Sequence, residues 1–363
     1  MTDRRQFLVG TAACLASATL MPGLARAARQ FDPQPGEWRT FRVVTRLEIP
    51  ADKGAVQAWV PLASVNDEWM QPLGEKWTGN AVSATIVTDP ASGTKLLHAT
   101  FAEGGSPAVL EVENTIKMRD RSVTGTEPSG NHSLSDGERQ LYLAATDLVP
   151  TDGIVKQTAD EITKGLNDDR SKAKAIYEWI VENCHRDGDV RGCGTGDVVA
   201  LLETGDRGGK CADLNALFVG LARASGVPAR DIYGVRVAPS RFGYKSLGAN
   251  SDIVSKAQHC RAEVYLSGQG WVAADPADVR KVMLEEPPRD NAIDSPAVVA
   301  VREKLFGAWE GNWLAYNTGH DLVLPGSSHK VAFLMYPQAE VGGTLVDSLD
   351  PDKVSYTIKS TAI

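Results

Sequence analysis

One cysteine, one histidine and one aspartate stand in this sequence where they can act together on a carbonyl carbon. Cys211 follows Gly208-Gly209-Lys210 and opens the run 211–225, in which Leu214, Leu217, Phe218 and Leu221 recur on one helical stripe. Gly226 and Pro228 then stop that helix. A thiol in the first turn meets unpaired N–H groups and the positive end of the macrodipole, and both favour its anion. Such a position takes a thiol pKa from about 8.5 into roughly the 3.5–7.5 range. A drop of two units is worth about 2.7 kcal/mol, which carries the thiolate at pH 7 from a few per cent to a large part. The glycines before the cysteine keep the approach to the sulfur clear, so Gly209 is a candidate substrate contact.

His259 begins a strict alternation. His259, Arg261, Glu263 and Tyr265 share one face of the run 258–266, while Cys260, Ala262, Val264 and Leu266 share the other. Ser267-Gly268-Gln269-Gly270 turns the chain into a second strand, 271–275, which Pro276 closes. A three- or five-residue turn sets Tyr265 opposite Trp271 and Arg261 opposite Asp275, with His259 and Asp275 as diagonal neighbours. A two- or four-residue turn puts them on opposite faces. A carboxylate on one imidazole nitrogen leaves the other free to take a thiol proton, the logic of a catalytic triad. Asp278 is the fallback orienter. Arg261 is placed to meet a carboxylate on a substrate.

The segments RGGKCADLNALFVGLARASGVPAR and AQHCRAEVYLSGQGWVAADPADV resemble the transglutaminase-like superfamily over roughly 150–280. The order Cys, His, Asp matches that family, as do the Gly-x-Pro-Ala-Arg after the helix and Trp271 before the aspartate. The resemblance implies a papain-like fold, with Cys211 as nucleophile, His259 as base and Asp275 as its orienter, and it adds Trp271 to Arg261 and Gly209 as substrate contacts. A β-sandwich ahead of the catalytic domain also occurs in the superfamily. Nothing here resembles the calcium-binding acidic loops of the animal cross-linking enzymes, so neither a metal nor another cofactor is expected. The oxyanion donor beyond the Cys211 N–H is not identified.

These residues need elements to hold them. Between 38 and 118 the pattern has period two: Phe41, Val43, Leu47 and Ile49 alternate with Arg42, Arg46 and Glu48, and Leu110, Val112, Ile116 and Met118 with Glu111, Glu113, Thr115 and Lys117. Shorter strands are expected at 55–60, 81–88 and 95–101, which makes an antiparallel sandwich. The stretch 120–140 is rich in Ser, Gly, Thr and charge and reads as a linker. Beyond it the period becomes 3.6, with helices at about 152–166, at 169–184 behind an Asp168 or Asp169 cap, and at 197–204. Strands return at 231–237, 257–266, 271–275, 312–316, 320–324, 331–336 and 354–360. The fold class is α+β. The expected division is an export signal (1–27), a β-sandwich domain (28–130) and a catalytic domain (131–363). The aromatic run 309–316 is expected to be core.

Lys and Arg number 38 against 46 Asp and Glu, a formal charge of −8, with no long basic block. That balance argues against nucleic acid and against an anionic membrane surface as partners. No segment of the mature chain reaches the ~20 apolar residues a membrane span needs. Residues 3–8 (DRRQFL), a mild apolar run and Ala25-Arg26-Ala27 resemble a twin-arginine export signal, so the mature protein is expected in the periplasm or otherwise outside the cytoplasm. Four cysteines remain after it, Cys184, Cys193, Cys211 and Cys260. They lack zinc-site spacing. A Cys193–Cys260 disulfide and no disulfide at all stand level, with Cys260 turned away from the chemistry. The expected activity is acyl transfer at a peptide, protein or other amide, hydrolysis before cross-linking. A binding module of the cell envelope on the same fold is the competing expectation.

Overall fold

The computed structural model describes residues 30–50, 54–104, 106–123 and 132–363. The expected export signal, 1–27, and residues 124–131 of the expected linker lie outside the described residues. The first six strands are β1 (Arg39–Ile49), β2 (Val56–Pro61), β3 (Met70–Gly79), β4 (Ser83–Thr88), β5 (Lys95–Phe101) and β6 (Ala108–Met118). In β1 the alternation holds residue by residue: Phe41, Val43, Leu47 and Ile49 are buried, and Arg42, Arg46 and Glu48 are exposed. Strand β3 has no such signal, because Pro72 and Gly74 interrupt it at a bulge. It lies at the edge of its sheet, where a missing N–H is tolerated.

Past the two-residue strand β7 (Arg121–Ser122) come helices α1 (Asp136–Leu143), α2 (Gly153–Ile162) and α3 (Asp169–Asn183). The short pieces β8 (His185–Arg186), α4 (Val198–Glu203) and β9 (Gly208–Gly209) lead into helix α5 (Cys211–Ala224). Helix α1 occupies what reads as linker; Ser135 and Glu138 form a reciprocal capping box at its start. Strands β10 (Ala229–Arg236), β11 (Gln258–Leu266) and β12 (Gly270–Ala274) follow, then helices α6 (Pro276–Glu285) and α7 (Pro296–Lys304). Both of these begin on proline. Proline at the first helical position lacks only an N–H that would be unpaired anyway, so Pro276 starts a helix as well as ending a strand.

The chain finishes with β13 (Ala308–Trp309), β14 (Trp313–Asn317), β15 (His320–Val323), β16 (Lys330–Phe333), β17 (Gln338–Val341), β18 (Thr344–Val346) and β19 (Ser355–Ala362). Two sheets, ordered β19-β1-β6-β3 and β18-β17-β2-β5-β4, form the sandwich. Leu47, Ile49, Leu110 and Val112 from one meet Val56, Ala58, Val60 and Leu97 from the other. The division into 28–130 and 131–363 is therefore not a clean cut. Strand β19 pairs with β1 and β17 with β2, so the C-terminal end of the chain completes the sandwich that the N-terminal end begins. A third sheet, β12-β11-β10-β14, stands beside it, with α5 packed on β11 and β10. Trp309, Trp313 and Tyr316 of the aromatic run are buried core.

Candidate active site

Helix α5 is buried along its whole length, and Cys211 occupies its first position with 4% of its surface exposed. In the first turn the N–H of Cys211 has no acceptor within the helix. The polar exceptions on α5 hold the site together. Asp213 accepts from Lys210 N through Oδ2, and from Thr195 N and Gly196 N through Oδ1, each at 2.9 Å. The N–H of Ala212 donates to Cys193 O, also at 2.9 Å. Loop 192–196 is thereby tied to the helix start. This also reassigns Gly209: it is buried, and a Cβ there would stand 2.7 Å from Cβ of Asp213. Its missing side chain makes room for Asp213 rather than for a substrate. Gly194 is tighter, with φ at +95° and a Cβ position 1.9 Å from Asp213 Oδ2. Gly194→Ala is expected to destabilise the protein by about 2–3 kcal/mol, read by urea unfolding, and to slow alkylation of Cys211.

His259 lies near the start of β11, whose hairpin with β12 pairs Tyr265 with Trp271 and Leu266 with Gly270. The three-residue turn that results puts His259 and Asp275 on one face. Nε2 of His259 is 2.8 Å from Asp275 Oδ2 and 3.4 Å from Asp278 Oδ1. With Nε2 engaged by carboxylates, Nδ1 is the nitrogen left to face Cys211. Asp275 caps α6, its Oδ1 accepting from Asp278 N at 3.0 Å. Nδ2 of Asn215 donates to Asp275 Oδ1 at 3.3 Å and to Cys260 O at 2.8 Å, joining helix, strand and carboxylate. The indole of Trp313 donates to His259 O at 3.0 Å. Asn215 was legible only as a polar residue one turn beyond Cys211 on an apolar helix.

Behind this pair lies a second acid–base pair. Asp278 receives both hydrogen bonds of a fork from Arg236 Nη2, at 2.6 and 2.8 Å, and both residues are buried. Arg261 is buried too. Its Nε lies 3.5 Å from Asp275 Oδ2, and its guanidinium packs over the rings of Trp309 and Trp313. Arg261 therefore supports Asp275 and does not line the cleft, contrary to expectation. Trp271 is at the far end of the hairpin, stacked under Arg230 beside a separate cavity of about 400 Å³. Strand β11 is nine residues long, which is why one face reaches two clefts. His259, Asp275 and Asp278 also hold donor atoms close enough to ligate a metal ion. Arg236 and Arg261 already supply the positive charge there.

The electrostatics follow from these contacts. Hydrogen bonds from the thiols of Cys193 and Cys260 outweigh the burial of Cys211 and, with His259, hold it well below an ordinary thiol. Burial pulls His259 down, but the carboxylates of Asp278 and Asp275 prevail and raise it to about 9. Burial and the neighbouring charge of Asp278 raise Asp275, whereas Arg236 overcomes burial and holds Asp278 well below its usual range. A thiolate and an imidazolium are the consistent ground state. Three buried cations (His259, Arg236, Arg261) then balance three buried anions (Cys211, Asp275, Asp278).

Cys184, Cys193, Cys211 and Cys260, the four cysteines among the described residues, are all free. Cys260 is not turned away from the chemistry: its face of β11 is the one that meets α5, so its thiol reaches Cys211. Cys193 arrives on the tied loop, its Sγ 3.4 Å from Gln258 O. The cleft above Cys211 measures about 730 Å³. Among the described residues no helix is long and apolar enough to cross a membrane.

The family model described as the transglutaminase-like superfamily matches residues 156–276, which contain Cys211, His259 and Asp275. A Haemophilus influenzae protein described as uncharacterized is 38% identical over 326 residues, covering 85% of this chain and 87% of its own. Among solved structures, a Cytophaga hutchinsonii protein provisionally named a cysteine protease superposes with a TM-score of 0.57 at 14% identity, covering 91% of this chain and 92% of its own. The periplasmic domain of TgpA from Pseudomonas aeruginosa gives a TM-score of 0.35 at 15% identity, covering 66% and 90%.

Proposed function

Because the chain belongs to the transglutaminase-like superfamily, we propose that it is a cysteine-dependent hydrolase of peptide or other amide bonds. The observation that carries this reading is the buried relay from the depressed Cys211 thiol through His259 to Asp275. In the first half-reaction the thiolate attacks the amide carbonyl and forms a C–S bond, while the Cys211 N–H faces the developing oxyanion. The imidazolium of His259 then gives its Nδ1 proton to the departing amine as the C–N bond breaks. In the second half-reaction water gives a proton back to Nδ1 and its oxygen adds to the thioester. Collapse releases the acid and restores the thiolate.

Hydrolysis is proposed over transamidation because no Asp or Glu among the described residues lines the cleft. A lysine-like acceptor finds no counter-charge there, and water at about 55 M wins unless it is excluded. The twin-arginine-like start and the Ala25-Arg26-Ala27 site support action outside the cytoplasm. The test supplies a short glutamine-containing peptide with and without excess primary amine and weighs the products. Acid product in both arms is expected, abolished in Cys211→Ala. Incorporation of the amine in preference to water overturns the hydrolase reading. No turnover, together with an unreactive Cys211, replaces it with a binding module.

A further inference from the structure

The cleft above Cys211 is cationic in an acidic protein. Arg186, Lys210, Arg236, Lys256 and Lys281 line it, although the whole chain carries −8. Arg236 is committed to Asp278. Glu285 alone answers Arg186 at 2.5 Å and Lys281 at 3.8 Å, so one carboxylate faces two cations. Lys210 and Lys256 have no ion-pair partner among the described residues. Of the acids in the adjoining stretches of chain, Asp252 pairs with Lys359, Asp347 with Arg191 and Asp350 with Lys353, whereas Asp187, Asp189 and Asp352 are near in sequence but do not line the cleft. Burial and the nearby charge of Arg236 hold the Lys281 ammonium below its ordinary value, as expected where positive charge outnumbers its counter-charge.

The placement of these groups follows the catalytic pair. Arg186 sits across from Gly209 in the β8–β9 bridge, and Lys210 is the next residue before the nucleophile. Lys256 precedes His259 by three positions on the approach to β11. Cations therefore flank both the thiol and the imidazole along the chain. Like charges gathered in a concave, partly dry site focus their field and raise the local concentration of an oppositely charged ligand.

We propose that this cleft selects an acyl donor carrying carboxylates beside the scissile amide, whether from acidic side chains or from a chain terminus. The inference rests on the hydrolase reading above. It names the substrate class of that site, an acidic peptide or peptide-like amide, and it sets the site against cationic acceptors.

The test uses a pair of thiol reagents that differ by one charge, iodoacetate and iodoacetamide, on the full mature protein. The rate ratio of the two at Cys211 is compared between wild type and the double variant K210Q/K256Q. His259 contributes equally to both proteins, so the change in ratio reports the lysines. Two charges at cleft distances are expected to lower the iodoacetate preference about tenfold. The preference is also expected to shrink in 0.5 M salt. An unchanged ratio, with Cys211 still fast towards iodoacetamide, overturns the inference and leaves the hydrolase reading standing. If Cys211 is slow towards both reagents, the thiolate falls and the inference falls with it. Protection from iodoacetamide by three peptides distinguishes the carboxylate sources: an amidated peptide rich in Glu, a neutral peptide with a free C-terminus, and a neutral amidated control. Protection by either of the first two above the control supports the proposal and assigns the source. Equal protection by all three overturns it. Lys256 is exposed, so K256Q alone serves as the variant whose folding is not in question.

Discussion

Iodoacetamide at pH 6 is expected to modify Cys211 at least about a hundredfold faster than any of the other three cysteines, because a two-unit difference in thiol pKa is a hundredfold difference in thiolate. The structure sets the contrast. Burial pushes the Cys184 thiol up to about 12. Cys193 and Cys260 are raised as well, the former chiefly by donating to the Cys211 sulfur and the latter chiefly by burial. Peptide mass mapping after brief labelling reads the result, and equal slow labelling at all four positions would remove the activated-thiol argument. The pH dependence has a definite sign. Cys211 is depressed, so its thiolate persists below the ordinary thiol range and is lost only as pH falls through the lowered value. His259 is raised from 6.5 to about 9, so its proton is present across the neutral range and is lost as pH rises through about 9. Turnover should therefore hold between those limits and fall above about pH 9, where the leaving amine has no donor. The stability that His259 gains from its carboxylates has the same upper limit: full below about 6.5 and gone above about 9. Cys193→Ala removes the leading hydrogen bond to the sulfur, and is expected to shift the acid limb upward without moving the alkaline one.

The candidate site was more legible than the frame that holds it. Cys211, His259 and Asp275 could be read because each has a local signature: a glycine-flanked helix start, a strict alternation, and a hairpin turn that fixes parity. Local signatures do not report what lies behind a strand. Arg236 and Asp278 are 42 residues apart and meet only because β10 and α6 are brought together by the sheet β12-β11-β10-β14. Arg261 and Trp271 share the β11–β12 strand pair and yet are not in the cleft, since alternation says which face a residue takes and not how far along it the cleft extends. Helix α6 was missed because a proline at the end of a strand reads as a stop, and the same proline at a helix start is a beginning. The closing of the sandwich by β17 and β19 was invisible for a further reason. Pairing between the two ends of a chain leaves no pattern in either end alone.

Arg236→Met is expected to destabilise the folded protein by about 3–5 kcal/mol, a large share of the roughly 5–15 kcal/mol that holds a typical domain together. The guanidinium makes three buried hydrogen bonds, two to Asp278 and one from Nη1 to Leu247 O at 2.7 Å. Without it Asp278 keeps its charge in a dry site beside Asp275, and the network holds three anions against two cations. The sign of the pH dependence separates this cause from lost packing. Asp278 is depressed in the native protein, so the stability it contributes exists above the ordinary carboxylate range and is lost as pH falls through its lowered value. In the variant Asp278 takes up its proton at higher pH. The gap between the two proteins should therefore be widest near pH 7 and should narrow towards pH 4, as urea unfolding at both values would show. A packing defect would leave the gap constant. The paired change Arg236→Met with Asp278→Leu removes both charges and should recover most of the loss, because a buried pair is often no better for stability than well-packed apolar groups. Recovered stability with His259 lowered from about 9 and a narrower alkaline limb of turnover would show that the pair sets the histidine rather than holding up the fold. If the double variant is no more stable than Arg236→Met alone, the buried-charge account of this site is wrong.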